Sequence, residues 1–191
     1  MYNLLYILGG TVDYTAQIAQ QDEKVKEIKI ANGGDWGGRH IDKRFMDLVE
    51  EILGKSVVTK LKQEHASAWY ELEKKFEKAK ANAKPGKGFN VPIPTMIERF
   101  VTKDLGLDIT SIINANGRKY GIKENNAHFV ISAECVRQLF GEILEKIGTH
   151  AKRMLDSGEL KGLDIVFLVG GFGNCKLLQD HLKVNILCSY I

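Results

Sequence analysis

Cysteine is scarce. Cys135, Cys175 and Cys188 are the three present, an odd number at wide spacing with no CxxC pair, so neither a disulfide framework nor a cysteine-built zinc site is implied. A reducing, cytosolic setting is the default for such a chain. The five histidines are scattered, with no HExxH-like spacing to suggest a metalloprotease. Long hydrophobic runs are missing too. No window approaches the roughly 18 apolar residues of a membrane span, and the apolar stretch Tyr2 to Leu8 is too short for a signal-peptide core with its cleavage site. An excess of one charge is also lacking. Lys and Arg total 27 against 24 Asp and Glu, and acids relieve every basic block, which argues against a nucleic-acid partner. Proline occurs at three positions only, Pro85, Pro92 and Pro94.

What is present is an ordinary globular composition. With 44% hydrophobic and 27% charged residues in a chain of 191, one large domain or two small ones can bury a core. Glycine carries the distinctive pattern. In Leu8-Gly9-Gly10-Thr11-Val12-Asp13 an apolar run meets two glycines, a hydroxyl and a carboxylate, and a second strand-like run follows. Adjacent glycines let backbone N–H groups converge, a concavity suited to phosphate. Thr11 adds a donor, and Asp13 a handle for a hydrated metal ion. A plain hairpin turn is the competing explanation.

Taken in order, Tyr2 to Leu8, Val12 to Ala19 and Val25 to Ala31 predict three strands of a β-meander. Val12, Tyr14, Ala16 and Ile18 alternate on one face of the second. Gln20 to Glu23 reads as a polar turn. The cluster Gly33-Gly34-Asp35-Trp36-Gly37-Gly38 is either a flexible connection or a close approach to a ligand at a helix start. Ile41, Phe45, Leu48, Val49 and Ile52 then recur at helical spacing, and Gly54 closes that helix. Val57 to about Ala83 predicts one long charged helix with Trp69, Leu72, Phe76 and Ala79 as its apolar stripe. Lys84 to Pro94 predicts a loop leading to a short edge strand, and Thr95 to Lys103 a short helix. Asn114 to Asn126 reads as a polar loop or hairpin around Gly117 and Gly121. His128 to Ile131 predicts a strand. Ser132 caps a long helix with Glu134 in its first turn, and Cys135 near its start reads as a packed thiol. Leu163 to Val169 is the strongest strand signal and predicts the sheet centre. It runs into Gly170-Gly171-Phe172-Gly173 and then a short helix, Lys176 to Leu182. Strand, glycines and helix form a layout in which ligands meet the carboxyl end of a strand. Neither a P-loop nor a GxGxxG fingerprint is present.

Three glycine turns in this order, GGTVD at 9–13, GGDWGG at 33–38 and VGGFGN at 169–174, together resemble the second half of the nucleotide-binding domain of the seventy-kilodalton heat-shock proteins. These belong to the actin and sugar-kinase ATPase superfamily. The resemblance is closest to the atypical heat shock 70 kDa protein 12 branch and runs over roughly residues 5 to 183. It is supported by Trp36 to Asp42 (WGG-x-x-x-D), Ala68 to Lys80 (AW-x-x-L-x-x-x-FE-x-x-K) and Phe167 to Gln179. It implies an α/β fold, the second lobe of an actin-like ATPase. Its mixed sheet with flanking helices would form a core from residues 1–55 and 132–191, with an inserted, mainly helical and antiparallel subdomain over 56–131. It further implies magnesium-bound ATP or ADP as cofactor. Gly9, Gly10, Thr11 and Asp13 match the phosphate hairpin. Gly37 and Gly38 match the turn near the ribose and phosphates, Glu77 and Lys80 the ribose and adenine contacts, and Gly170 and Gly171 the adenosine turn.

The chain departs from that pattern at Tyr6, where the family carries an aspartate that places hydrated magnesium and the attacking water, and at Leu8, where it carries a glycine. Asn174 stands where an adenine-stacking arginine is common. The resemblance also implies a partial chain, with the first lobe absent and Met1 to Tyr6 a substitute start. The leading expectation is therefore an ATP-binding lobe of a chaperone-like, stress-response protein, weakly active or inactive alone. A non-catalytic interaction protein that keeps the fold and binds protein partners is the alternative, with a sugar or acetate kinase relative ranked below it.

Overall fold

Aromatic and aliphatic residues make up all of the first strand but Asn3. The computed structural model describes residues 2–7, 11–19, 25–156 and 165–184. Contacts divide it into two units, Met1–Ile41 with Phe140–Ile191 and, separately, Asp42–Leu139. The fold is mixed α/β, with seven strands in two sheets and seven α-helices among the described residues.

In the first unit, β1 (Tyr2–Ile7), β2 (Val12–Ala19) and β3 (Val25–Gly34) form the expected antiparallel meander. β3 runs three residues beyond the predicted Ala31, so Gly33 and Gly34 are strand residues and not loop. The Gln20 to Glu23 turn lies outside the described residues. β7 (Ile165–Val169) pairs in parallel with β1, giving the order β3-β2-β1-β7. Leu163 to Val169 was expected at the sheet centre. Among the described residues β7 instead ends the order. A continuous apolar run reports cover on both faces of a strand and carries no information on its rank in the sheet. α7 (Lys176–Leu182) follows at its predicted bounds.

α1 (Gly38–Leu53) and α6 (Ala133–Leu155) each run across the division between the units. Ile41, Phe45, Val49 and Ile52 are fully buried on α1. Gly54, at φ 93°, ends that helix with its N–H donating to the Glu50 carbonyl at 2.9 Å. Glycine supplies this left-handed conformation without a Cβ clash.

The second unit corrects the predicted single helix over Val57 to Ala83. Two helices are present, α2 (Lys55–Glu64) and α3 (Ala66–Ala81), broken at His65. The His65 N–H closes α2 on the Leu61 carbonyl, and its own carbonyl accepts from Ala68. Its ring meets Phe100 edge-on at 5.3 Å. No glycine or proline marks this break.

β4 (Phe89–Pro92) is the expected edge strand, in the order β4-β6-β5. α4 (Thr95–Arg99) continues into a π-helical turn, Phe100–Asp104. The polar loop expected from Asn114 begins in fact inside a helix, α5 (Ile109–Gly117). Asp108 starts it: Oδ1 accepts from the Thr110 N–H at 3.0 Å, and Oδ2 from the Ser111 hydroxyl at 2.6 Å. Three isoleucines, Ile109, Ile112 and Ile113, among small and polar residues were too weak a period to reveal it.

β5 (Ile122–Glu124) and β6 (His128–Ile131) form the hairpin, closed by reciprocal Asn125–His128 bonds at 3.1 Å. Its central residues, Asn126 and Ala127, have φ of 51° and 56°, as a two-residue type I′ turn demands. Alanine is strained there. Ala127→Gly is expected to raise stability by about 1 kcal/mol, read as a higher urea midpoint.

The Ser132 hydroxyl caps α6 by accepting from the Cys135 N–H at 3.2 Å. Burial pushes the Cys135 thiol up to about 11, aided by the Glu134 charge, so it is a packed, inert thiol. No helix among the described residues is long and apolar enough to cross a membrane.

Candidate functional site

The register of the first sheet brings the glycine turns together. Ile7 pairs with Val12, and Val12 with Gly34. Tyr6 pairs with Asp13 on one side and Val169 on the other, and Asp13 with Gly33. The end of β1, the start of β2, the end of β3 and the end of β7 therefore share one end of one sheet. Gly9 and Gly10, which link β1 to β2, lie outside the described residues, as does Leu8.

At this end Thr11 is exposed and Asp13 half-buried. The Thr11 hydroxyl donates to Asp13 Oδ2 at 3.2 Å, leaving the other carboxylate oxygen for a donor or hydrated cation. Gly33 is fixed by its neighbour: a Cβ would lie 1.7 Å from the Val12 carbonyl oxygen. At Gly34 a Cβ would sit 2.5 Å from the Trp36 ring. The Trp36 N–H donates to the Gly34 carbonyl at 2.9 Å, and its ring meets His150 edge-on at 5.3 Å. Outside the turn, His40 Nε2 and Asp35 Oδ1 are 2.9 Å apart.

Gly37 and Gly38 are buried where α1 begins. The first turn of α1 contains no acid, and the N-terminal end of a helix is where an anion is stabilised. After β7, Gly170 takes φ 96°, and its carbonyl accepts from the Gly173 N–H at 3.1 Å. Gly171 differs from these. It is exposed, has ordinary helical φ and ψ of −59° and −39°, and nothing lies within 4 Å of where its Cβ would be. Neither backbone nor packing in this chain demands glycine there.

Glu77 and Lys80 belong to the second unit, and the structure treats them differently. Glu77 is exposed on α3 and paired with Lys74 at 2.8 Å, whose hydrogen bond holds its carboxyl below the usual range. Lys80 is buried at 6% exposure. Its Nζ lies 2.6 and 2.7 Å from the two oxygens of Asp42 on α1. Burial pushes the Asp42 carboxyl above its ordinary 3.8, against the bonds and charge of Lys80. Asp42 was not singled out as a site residue in the sequence. The signal was there. Phe45 and Phe76 stack face to face at 4.0 Å. One turn before Phe45 is Asp42 and one turn after Phe76 is Lys80, so each charge sits on a buried stripe and needs the other.

No group of three or more metal-ligating side chains occurs among the described residues. The donors present, a hydroxyl, a lone carboxylate and glycine turns, suit a phosphate with a largely hydrated magnesium better than a protein-caged metal.

Human heat shock 70 kDa protein 12B is 29% identical over 181 residues, 93% of this chain and 26% of that protein. The chain is similar in sequence to the heat shock 70 kDa protein 12 proteins. Heat shock 70 kDa protein 12A from human and from mouse is 27% identical over 178 residues, 92% of this chain and 26% of theirs. The chain thus spans about a quarter of the length of these relatives. No protein-family model matches the sequence.

Proposed function

We propose that this chain carries one wall of a nucleotide-phosphate site, as the second lobe of an actin-like ATPase domain of the heat shock 70 kDa protein 12 type. The supporting observation is the register that gathers Thr11, Asp13, the Gly33–Gly38 turn and the Gly170–Gly171 turn at one sheet end. The open space at Gly171 fits a turn left bare for a ligand. When bound, magnesium–ATP would supply the transferable phosphoryl group. The chain's part is to donate from Thr11 and the turn amides and to offer Asp13 to a hydrated magnesium. Position 6, directly across from Asp13, holds Tyr6 and no acid. Phosphoryl transfer depends almost wholly on positioned charge, so hydrolysis is expected to be absent.

The test is an amide NMR titration with magnesium–ATP, alongside a phosphate-release assay. Shifts confined to Thr11, Gly37, Gly38, Gly170 and Gly171, saturating at about millimolar ligand (on the order of −4 kcal/mol), are expected, with no release above background. Unmoved turns would sink the proposal. Turnover that Asp13→Asn abolishes would overturn the inactive assignment.

The missing acid at position 6 also favours a second reading, a non-catalytic interaction protein that keeps the fold. Partner capture that ignores added nucleotide supports it; capture that requires ATP refutes it.

A further inference from the structure

A cleft of about 280 Å³ lies wholly within the second unit. Asn114 lines it from α5, Arg118 from the single helical turn Arg118–Tyr120, Lys123 from β5 and Ser132 from the cap of α6. Every one of these polar side chains offers a donor with no acceptor. Asn114 Oδ1 accepts from the Glu124 N–H at 2.9 Å, which fixes the amide and leaves its NH₂ end unspent. Ser132 Oγ accepts from the Cys135 N–H at 3.2 Å, leaving the hydroxyl proton to donate. Among the described residues no hydrogen bond or ion pair engages the Arg118 guanidinium or the Lys123 ammonium.

No carboxylate lines the cleft. The acids nearby are engaged elsewhere: Glu124 by the Ala127 N–H at 2.8 Å, Glu51 by the Tyr120 hydroxyl, and Glu134 by Arg137 and Gln138. Gly121 holds the walls close. It takes φ 72°, its carbonyl accepts from the Ser132 N–H at 2.9 Å, and a Cβ there would press on the Ser132 hydroxyl. Two cations surrounded only by donors are best matched by a dianion. A carboxylate brings one charge and two oxygens. A phosphate monoester brings nearly two charges above its second pKa of about 6, and three oxygens. The volume falls just under the roughly 300–1,000 Å³ of pockets for drug-sized ligands. Ile122 and Val130 add apolar wall, so the occupant is small and carries a short carbon skeleton.

We infer that this cleft binds the phosphate group of a small phosphate monoester. The inference stands whether or not the first unit takes a nucleotide.

The test is an amide NMR titration of the full chain at constant ionic strength, which holds screening fixed. Inorganic phosphate, glycerol phosphate, a phosphoserine peptide and acetate are separate probes. Glycerol phosphate is expected to shift the Asn114, Gly121, Lys123 and Ser132 amides saturably, and at lower concentration than inorganic phosphate. Arg118→Gln and Lys123→Gln are each expected to weaken that binding about tenfold or more. Both side chains are exposed, so the urea midpoints should not move. Binding is expected to strengthen as pH rises through about 6, where the monoester gains its second charge. Absence of a saturable shift at these amides overturns the inference, as do shifts that both variants leave untouched. Acetate bound as tightly as glycerol phosphate overturns the phosphate class. Tighter binding of the phosphoserine peptide overturns the small-molecule assignment. Shifts at Gly37 and Gly170 report on the first unit separately, so either site can fail without the other.

Discussion

Lys80→Met is expected to cost this chain about 3–5 kcal/mol, the usual result of removing one partner from a buried ion pair. Against a typical domain stability of roughly 5–15 kcal/mol, that places the variant near unfolding. The methionine is close in length and shape to the lysine stem, so packing around position 80 changes little. The cost is the carboxylate of Asp42, 7% exposed and left without its cation. The pH dependence separates this cause from a packing defect. Burial already raises the folded-state value of Asp42 above 3.8, and loss of Lys80 raises it further. Between 3.8 and that raised value the folded protein holds a proton that the unfolded chain has released. Stability of the variant, relative to an Asp42→Asn/Lys80→Met double variant, therefore rises as pH falls through that window. Urea melts across pH check both points. A single variant that melts like wild type, or one whose deficit against the double is independent of pH, refutes the buried-charge account.

Gly33→Ala carries the second large effect. Its Cβ would meet three backbone atoms, the Val12 oxygen at 1.7 Å, the Val12 carbon at 2.7 Å and the Asp13 Cα at 3.0 Å. No side-chain rotation relieves such a clash, so β2 and β3 must part where Asp13 and Gly33 pair. Overpacking of this kind costs about 1–3 kcal/mol, and more where backbone must move. The displaced residues are Val12 and Asp13, so the Thr11–Asp13 bond at 3.2 Å is expected to break as well. Gly171→Ala is the control. With open space around it, stability should stay within about 0.5 kcal/mol, while ATP-induced shifts at Gly170 and the substituted position weaken. Gly33→Ala melting at the wild-type midpoint would show that the strands are not held as described.

The sequence revealed those features whose signal is local. The period of Phe45, Val49 and Ile52, the glycine at 54, the serine before α6 and the apolar run of β7 each carry their reason within a few residues. β6 and α7 accordingly lie at their expected bounds. Features set at a distance stayed hidden. The break at His65 carries no local signal, and its ring contact is with Phe100, 35 positions away along the chain. The pairing of Asp42 with Lys80 spans 38 residues. The gathering of the glycine turns requires β7 to lie beside β1, a parallel pairing across most of the chain. What identified the glycines as a set was their order, which resembles a known family, and not any one turn.

Each unit carries one of the two tryptophans. Trp36 sits beside the His150 ring in the first, and Trp69 lies beneath the Lys62 ammonium, 4.6 Å from its centroid, in the second. Substituting either by phenylalanine leaves a single tryptophan, whose emission, excited beyond the tyrosine band, reports on one unit. A pair of emission melts, one from each variant, then measures whether the two units lose their structure together or in turn, with no dye attached and no cysteine altered.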